Sequence, residues 1–295
     1  MHVVDAQIHP VDAPLTEEVP GPVSLDIADP RERRDAAIAV SVALMDAVGV
    51  DAALVHPSAA FGHAAIDEID AYAARHPDRF RGVASIDPAS PTMAEEVRRA
   101  RDHPAVVGLR AMVGWPPEGV GVARYRRGEY EGLFAAATEA GMPLFAFLFD
   151  ALSLAGEIAE RHPELRLVVD HIGIRQPPFY ALPPDPWVEL PALLALADRS
   201  NVALKLGGIP TLSREPYPFA DVQPRVRAIV DAFGPERVMW ASDHTRIRSH
   251  HSYAEALWFL RESSALSETE KALVLGGSLR RYLAWEERRA CPSAA

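Results

Sequence analysis

The chain has 295 residues, of which 48% are hydrophobic, so it can bury one large α/β barrel or two ordinary domains. Its 30 Lys and Arg residues against 41 Asp and Glu give a formal net charge of -11, which argues against nucleic acid or an anionic membrane as the main partner. A single cysteine, Cys291, excludes an internal disulfide and a cysteine-based metal site. We find neither a signal-peptide pattern nor an apolar run long enough to span a membrane, and we therefore expect a cytoplasmic protein.

Eight short apolar runs alternate with stretches of helical period along the chain. Strands are predicted at residues 2–9, 51–57, 80–87, 105–113, 142–149, 165–173, 201–208 and 237–244. Helices are predicted at 31–49, 62–76, 92–103, 129–140, 152–162, 187–199, 221–233 and 252–263, with two shorter ones near 267–275 and 277–288. Strands this apolar, separated by helices, indicate a parallel sheet that is buried on both faces.

The connections between these elements differ in length at the two ends of the predicted sheet. Every helix-to-strand turn is short, whereas several strand-to-helix connections are long and rich in Pro and Gly, at 10–30, 114–128, 174–186 and 209–220. A barrel enzyme keeps its bottom tight and enlarges the loops at its C-terminal mouth. We therefore predict a single-domain (β/α)8 TIM barrel over 1–288 with extra C-terminal helices, followed by a tail at 289–295. An open doubly wound sheet is the alternative, although no G-x-G-x-x-G motif follows the first strand.

Polar side chains near the C-terminal ends of the predicted strands form a candidate site. The first strand carries Asp5, Gln7 and His9 two residues apart, and strict alternation predicts that all three share one face. The other strands contribute His56, Asp87, Arg110, His171, Lys205 and Asp243, whereas the fifth ends in aromatics and Leu and is expected to form a hydrophobic wall. Barrel enzymes draw their catalytic groups from several strand ends, so this pattern is typical of an active site.

Each candidate also has a structural interpretation. His76, His103 and His162 precede Pro in helix-to-strand turns, where a histidine complements the helix dipole far from the mouth. For His171 the structural alternative is a histidine buried in the core with its hydrogen bonds satisfied. For Arg110 it is an ion pair that only supports the fold. Arg246, just beyond the eighth strand, suggests an anionic substrate, although exposure to solvent is the usual outcome for arginine.

Five segments, in order along the predicted barrel, resemble the amidohydrolase superfamily: DAQIH (5–9), GLRAMVGW (108–115), VVDHIG (168–173), KLGG (205–208) and MWASDHT (239–245). More narrowly, they resemble its branch of pyrone-dicarboxylate lactonases, sugar lactonases and amino-carboxymuconate-semialdehyde-type decarboxylases. The resemblance implies a (β/α)8 barrel and assigns catalytic roles to His9, His171 and Asp243. One departure stands out, because the first strand of the family ends His-x-His and the first of these positions is Gln7 here.

Two cofactor interpretations stay open. His9, His171 and Asp243 would together bind one divalent metal ion, Zn2+ before Mn2+, as a two-histidine, one-carboxylate set. The Gln7 carbonyl is a poorer ligand than imidazole for zinc, and some lactonases of this family work without metal. Metal-free operation is therefore the second interpretation.

The favoured function is hydrolysis of a lactone or similar cyclic ester of a small carboxylated organic acid, with Asp243 activating water. Arg110 is expected to hold a substrate carboxylate. The further substrate-binding candidates are Gln7, Lys205, His56 and Arg246. The runner-up is metal-dependent decarboxylation of an aromatic or muconate-type acid. A Schiff-base lyase through Lys205 and an inactive barrel used as a binding subunit also stay open. The expected partner is a small anionic substrate, and a homodimer is kept as an alternative to a monomer.

Overall fold

Eight parallel strands form a nearly closed barrel in the structure, a computed structural model that describes residues 1–12, 25–57, 61–114, 119–149, 151–177, 180–247 and 250–286. The strands are Val4–Ile8 (β1), Ala52–Val55 (β2), Phe80–Ser85 (β3), Val106–Ala111 (β4), Leu144–Ala146 (β5), Leu167–Val169 (β6), Val202–Gly207 (β7) and Val238–Ala241 (β8). Each pairs in parallel with the next strand along the chain. Every strand lies inside the segment predicted for it, and the (β/α)8 prediction is confirmed. The predicted tail at 289–295 lies outside the described residues.

Helices follow the strands around the outside of the barrel. They are Pro30–Val48 (α1), Gly62–Arg75 (α2), Met93–Asp102 (α3), Val120–Arg126 (α4), Glu131–Glu139 (α5), Leu152–Arg161 (α6), Leu190–Ala195 (α7), Gln223–Phe233 (α8), His244–Ile247 (α9), Tyr253–Arg261 (α10), Glu268–Ala272 (α11) and Ser278–Tyr282 (α12). The short helices α4 and α9 are missing from the sequence prediction: α4 lies in the predicted connection 114–128, and α9 begins at the last residue of the predicted eighth strand. Among the described residues, no helix has both the length and the apolar character that crossing a membrane requires.

The first and last strands meet through a buried carboxylate as well as the backbone. Asp5 accepts hydrogen bonds from the Ser242 N–H, at 2.9 Å, and from the Ser242 hydroxyl, and the Asp243 N–H donates to the Gln7 carbonyl at 3.2 Å. Burial raises the pKa of Asp5 to about 6, against the lowering effect of the hydrogen bonds from Ser242. This contact positions Gln7 and Asp243 beside each other.

The prediction that Asp5 shares the face of Gln7 and His9 is wrong. Val4 and Ala6 both belong to the interior of the barrel, so Asp5 between them points to the other side. The register between β1 and β2 shifts between Asp5 and Ile8, which breaks the strict alternation. Gln7 and His9 consequently line the mouth of the barrel, and Asp5 does not.

Two hydrophobic clusters lie on the two sides of the sheet. The larger one fills the layer between strands and helices, and the smaller one fills the inside of the barrel. Leu279, Leu283 and Trp285 from the C-terminal segment belong to the inner cluster and are each no more than 2% exposed. The extra C-terminal helices therefore close the bottom of the barrel, and the C-terminal mouth is left as the open end.

Candidate active site

A cavity of about 440 Å3 opens at the C-terminal ends of the strands. This volume lies within the range of about 300–1,000 Å3 that is usual for small-molecule sites. The polar lining consists of Gln7, His9, Ser85, Asp87, Arg110, Arg124, Tyr130, His171, Asp243 and Arg246. The apolar lining consists of Pro57, Phe61, Ile86, Pro88, Met112 and Phe147. Phe147, which directly follows β5, supplies the hydrophobic wall expected from the fifth strand.

The floor of the cavity is formed by Gln7, His9, His171 and Asp243, none of them more than 4% exposed. The side-chain amide nitrogen of Gln7 lies at its centre. It is 3.0 Å from His9 Nε2, 3.3 Å from His171 Nε2 and 3.0 Å from Asp243 Oδ1. His9 Nε2 and Asp243 Oδ1 are themselves 3.2 Å apart. The three residues to which the family resemblance assigns catalysis therefore meet around Gln7.

A series of charged side chains below the floor holds the Gln7 amide in one orientation. Lys205 Nζ donates a hydrogen bond to Gln7 Oε1 and lies 2.5 Å from Asp170 Oδ1. Arg110 Nε donates to Asp170 Oδ2 at 2.9 Å. Burial opposes the ionisation of Asp170, but the charges of Lys205 and Arg110 outweigh it and lower the pKa of Asp170 to about 2. Burial lowers the pKa of Lys205 to about 8, against the raising effect of Asp170, so Lys205 is mostly protonated at neutral pH.

His9 is held as a neutral imidazole whose Nε2 lone pair points at the floor. Its Nδ1 lies 2.5 Å from the carbonyl oxygen of His56, and this contact places the ring proton on Nδ1. Burial, aided by the charge of Arg246, lowers the pKa of His9 to about 4 despite the nearby Asp243. The His56 ring in turn donates from Nε2 to the Ala6 carbonyl at 3.1 Å. His56 thus positions His9.

His171 lies in a left-handed turn directly after β6. Its φ is 52°, as is that of Ile172, a conformation that costs about 1–3 kcal/mol for a residue other than glycine. Gln176 holds this turn, because its side-chain amide donates to the carbonyls of His171, at 3.3 Å, and Gly207, at 2.9 Å. A Cβ at Gly207 would lie 2.7 Å from His171 Nδ1, so only glycine leaves room for the ring. The KLGG segment therefore shapes the pocket of His171, and burial there lowers the pKa of this histidine.

Asp243 also has a positive φ, of 49°, and its backbone is fixed on both sides. Its N–H donates to the Gln7 carbonyl, and its own carbonyl accepts the Arg246 N–H at 2.8 Å. Burial works against the charge of Asp243, but the hydrogen bond from the Gln7 amide and the positive charge of Arg246 help to hold the pKa of Asp243 below its ordinary value. Oδ1 accepts the Gln7 amide, whereas Oδ2 faces His171 Nε2 at 3.7 Å and accepts no hydrogen bond from the described residues. Oδ2 is therefore the oxygen open to water or substrate.

Two arginines give the cavity a positive wall. Arg110 is 6% exposed, and its Nη1 and Nη2 have no hydrogen-bond partner among the described residues, since only Nε contacts Asp170. Its guanidinium carbon lies 5.8 Å from the centre of the Phe147 ring. Burial lowers the pKa of Arg246 to about 10, against the raising effect of Asp243, so this arginine stays charged. The ion pair of Arg110 and a role in holding a carboxylate are compatible, because they use different nitrogens.

Two of the expected substrate contacts do not reach the cavity. Lys205 and His56 are both 0% exposed, and neither lines it. The physical reason is depth in the barrel. Gly207 is level with the His171 ring, and Lys205, two residues earlier, belongs to the layer beneath. Lys205 therefore supports Gln7 from below, and its amine is closed off from a carbonyl substrate.

The rim of the cavity, formed by Phe61, Asp87 and Arg124, contains residues that the sequence analysis missed. Asp87 is placed at the mouth by the sequence, but Phe61 and Arg124 are not. Arg124 lies on α4, with Nη2 3.3 Å from Asp87 Oδ1 and Nε 2.7 Å from Glu129 Oε2. The only sequence signal for α4, a helix of seven residues, is that Gly119 precedes it and Gly128 follows it closely.

The residues of the floor, as arranged here, do not fit a divalent metal ion. His9, His171 and Asp243 converge on the Gln7 amide nitrogen, which is a hydrogen-bond donor and not a ligand. Among the residues that the structure describes, no group of three or more His, Cys, Asp and Glu side chains is placed to hold a metal. The conditional site with His9, His171 and Asp243 as ligands is therefore not formed.

Comparisons with known sequences point to one family. The sequence model described as Amidohydrolase matches residues 4–282. Over 86 residues the chain is 40% identical to an L-fucono-1,5-lactonase of Burkholderia ambifaria, a stretch covering 29% of this chain and 28% of that protein. Over 69 residues it is 38% identical to a D-galactarolactone isomerase of Agrobacterium fabrum, a stretch covering 23% of each. The chain thus matches about a quarter of the length of these two curated relatives.

Comparisons with solved structures agree on the fold. An amidohydrolase of Burkholderia multivorans with bound HEPES superposes with a TM-score of 0.74 at 20% identity, over 96% of this chain and 99% of that one. A second crystal form of that protein, with bound zinc, superposes with a TM-score of 0.68 at 24% identity, over 83% of this chain and 87% of that one. A dihydroxybenzoic acid decarboxylase of a Polaromonas species, with bound manganese and an inhibitor, superposes with a TM-score of 0.58 at 16% identity, over 90% of this chain and 89% of that one. Divalent metals are thus found in structures that share this fold.

Proposed function

The chain belongs to the amidohydrolase family, and from that premise we propose that it hydrolyses the lactone ring of a small carboxylated organic acid, with Asp243 as the general base. The observation that carries this proposal is the position of Asp243 Oδ2. It is an ionised carboxylate oxygen with no hydrogen bond from the described residues, at the floor of a cavity walled by arginines. Such an oxygen is suited to take a proton from water.

The proposed reaction has two steps that balance in protons. In the first, Asp243 Oδ2 takes a proton from water, the water oxygen bonds to the lactone carbonyl carbon, and the carbonyl oxygen becomes an oxyanion. In the second, the oxyanion reforms a carbonyl, the ring C–O bond breaks, and Asp243 returns the proton to the leaving alkoxide. The product is an open hydroxy acid, and the enzyme returns to its starting state.

Positive charge around the cavity supports each step. Arg110 holds a substrate carboxylate with Nη1 and Nη2, which orients the ring over the floor. Arg246 stays charged and stabilises the oxyanion as it forms. A carboxylate whose pKa is lowered is a modest base, so the rate depends on the orientation of water and on this positive charge.

The choice of a lactone substrate draws on the curated relatives. Both an L-fucono-1,5-lactonase and a D-galactarolactone isomerase carry a lactone in their names, although each matches only part of this chain. The likeness to a decarboxylase is at 16% identity and concerns the fold alone. A Schiff-base reaction is disfavoured, because Lys205 is buried between Gln7 and Asp170.

The test is a panel of lactones assayed with the purified wild-type chain in a pH-stat, beginning with lactones of sugar acids and including pyrone carboxylates. We expect base uptake that matches one carboxylic acid formed per ring opened. We also expect a preference for lactones that carry a free carboxylate in addition to the ring ester. Carbon dioxide release from aromatic or muconate-type acids, with no ring opening, would move the assignment to decarboxylation. An adduct at Lys205 after borohydride treatment would establish a Schiff base instead.

A further inference from the structure

We propose that the Gln7 side-chain amide, held by Lys205, occupies the position that a divalent cation would take and so keeps the floor free of metal. The same four side chains take part in the proposed reaction, but this proposal is tested by measuring how much metal the protein binds. It therefore stands or falls separately from the identity of the substrate.

The first support is the position of the amide nitrogen. It lies 3.0–3.3 Å from the Nε2 atoms of His9 and His171 and from Asp243 Oδ1. A zinc ion bound by these three residues would need to be about 2.0–2.2 Å from each of the same atoms. The amide hydrogens are directed at His9 Nε2 and Asp243 Oδ1, the same atoms that a zinc ion would need as ligands, so a cation and the amide compete for these atoms.

The second support is the chemistry of the amide. The nitrogen of a side-chain amide donates two hydrogen bonds and offers no lone pair to a metal, so Gln7 could ligate only through Oε1. Its two N–H groups serve Asp243 Oδ1 and His9 Nε2, the latter available because the Nδ1 proton of His9 is directed to the His56 carbonyl. The amide thus supplies positive hydrogens where a metal would supply positive charge.

The third support is the contact that fixes which end of the amide faces the trio. The Lys205 ammonium has only hydrogens to offer, so it must face Oε1. Rotating the amide by half a turn would set N–H against ammonium and the carbonyl oxygen against the Asp243 carboxylate. Lys205 itself has no freedom to leave, because it is 0% exposed and pairs with Asp170 at 2.5 Å.

The experiment measures zinc uptake by four proteins: wild type, Gln7→His, Gln7→Ala and Lys205→Met. Each is incubated with excess zinc chloride, desalted and analysed by inductively coupled plasma mass spectrometry, with circular dichroism to establish folding. We expect no stoichiometric zinc in the wild type. We expect about one ion per chain in Gln7→His, which adds an imidazole, and uptake in Gln7→Ala, which vacates the centre. Lys205→Met should also take up zinc, since the amide is then free to turn Oε1 toward the trio.

The control is Gln223→His, which adds a histidine on α8 away from the cavity and should bind no more zinc than the wild type. Stoichiometric zinc in the wild type, removed by Asp243→Asn, would overturn the inference. So would a folded Gln7→His and a folded Gln7→Ala that both bind no zinc, because Gln7 would then not be what excludes the ion. If only Lys205→Met stays free of zinc, the role given to Lys205 is wrong.

Discussion

The floor and the rim of the cavity are built from different parts of the fold. The floor residues Gln7, His9, His171 and Asp243 lie at or just beyond strand ends and are at most 4% exposed. Rim residues lie on or beside helices and loops. Phe61 is 48% exposed, and the side chains of Arg124 and Asp87 are 26% and 48% exposed.

This difference in burial has a chemical consequence. On the floor each side chain has a neighbour that fixes its orientation, and two residues, His171 and Asp243, are held at positive φ despite its cost. On the rim, Arg124 and Asp87 form a partly solvated ion pair, whose contribution to stability is small. The floor is therefore expected to set the chemistry, and the rim to adjust which molecules enter.

The largest expected effect comes from removing the general base, Asp243. Asp243→Asn keeps the shape of the side chain and an acceptor for Gln7, but it cannot take a proton from water. We expect the turnover of the best lactone to fall about 10²- to 10⁴-fold in a variant that still folds, as judged by circular dichroism. Asp102→Asn is the control, because the Asp102 side chain is 65% exposed and pairs with the adjacent Arg101 at the surface. Equal turnover in Asp243→Asn and wild type would remove Asp243 from the mechanism.

The second effect uses the only two lysines of the chain, which are both buried but differ in the exposure of their carboxylate partners. Lys205→Met leaves Asp170 buried without its ammonium partner, and such a loss costs about 3–5 kcal/mol in the free energy of unfolding. Lys271→Met breaks a pair with Glu268, whose side chain is 82% exposed, and should cost about 0–1 kcal/mol. Urea denaturation of both variants measures the difference. Similar costs for the two lysines would contradict the view that the floor rests on Lys205.

The third effect is the dependence of stability on pH through His9. Its pKa is about 4 in the folded chain against 6.5 for the free side chain, so the unfolded chain binds the proton more readily between these values. The contribution of His9 to the free energy of unfolding is therefore constant above pH 6.5. As the pH falls toward 4, about 3 kcal/mol of this free energy is lost. Denaturation of wild type and His9→Asn at pH 7 and pH 4 isolates this contribution. An equal loss in both proteins would show that His9 is not held neutral.

The fourth and smallest effect contrasts an arginine beside the floor with one on the rim. Arg110→Lys keeps the charge near Asp170 but removes the forked pair of nitrogens, so KM should rise about ten- to a hundred-fold with a smaller change in kcat. Arg124→Lys should change KM by less than about threefold, since Arg124 is held in a partly exposed pair. Steady-state kinetics on a carboxylated lactone distinguishes them. A larger rise in KM for Arg124→Lys would place the carboxylate at the rim.

The sequence predicts strand ends better than it predicts depth. Apolar runs that end in a polar residue place His9, His171 and Asp243 at the mouth, because the eight strands are parallel and their ends meet. The same pattern does not reveal which layer a side chain occupies, so Lys205 and His56 are assigned to substrate although they lie beneath the floor. Asp5 is misplaced because a register shift in β1 breaks the alternation.

The rim is less predictable because it depends on short local elements. Arg124 reaches the cavity only through α4, which has seven residues and no periodic signal long enough to be recognised. The KLGG segment is a different case. Its glycines are visible in the sequence, but the sequence does not show why glycine is required there. Gly207 is required by the His171 ring, a contact between residues from different strands.

The central claim is that water attacks a lactone carbonyl above the floor, and oxygen-18 water tests it most directly. The best lactone of the panel is opened by the wild-type chain in labelled water, and the product is analysed by mass spectrometry. We predict one labelled oxygen in the new carboxylate and an unlabelled hydroxyl that keeps the former ring oxygen. A product without label in the carboxylate, or with the label in the hydroxyl, would contradict the account.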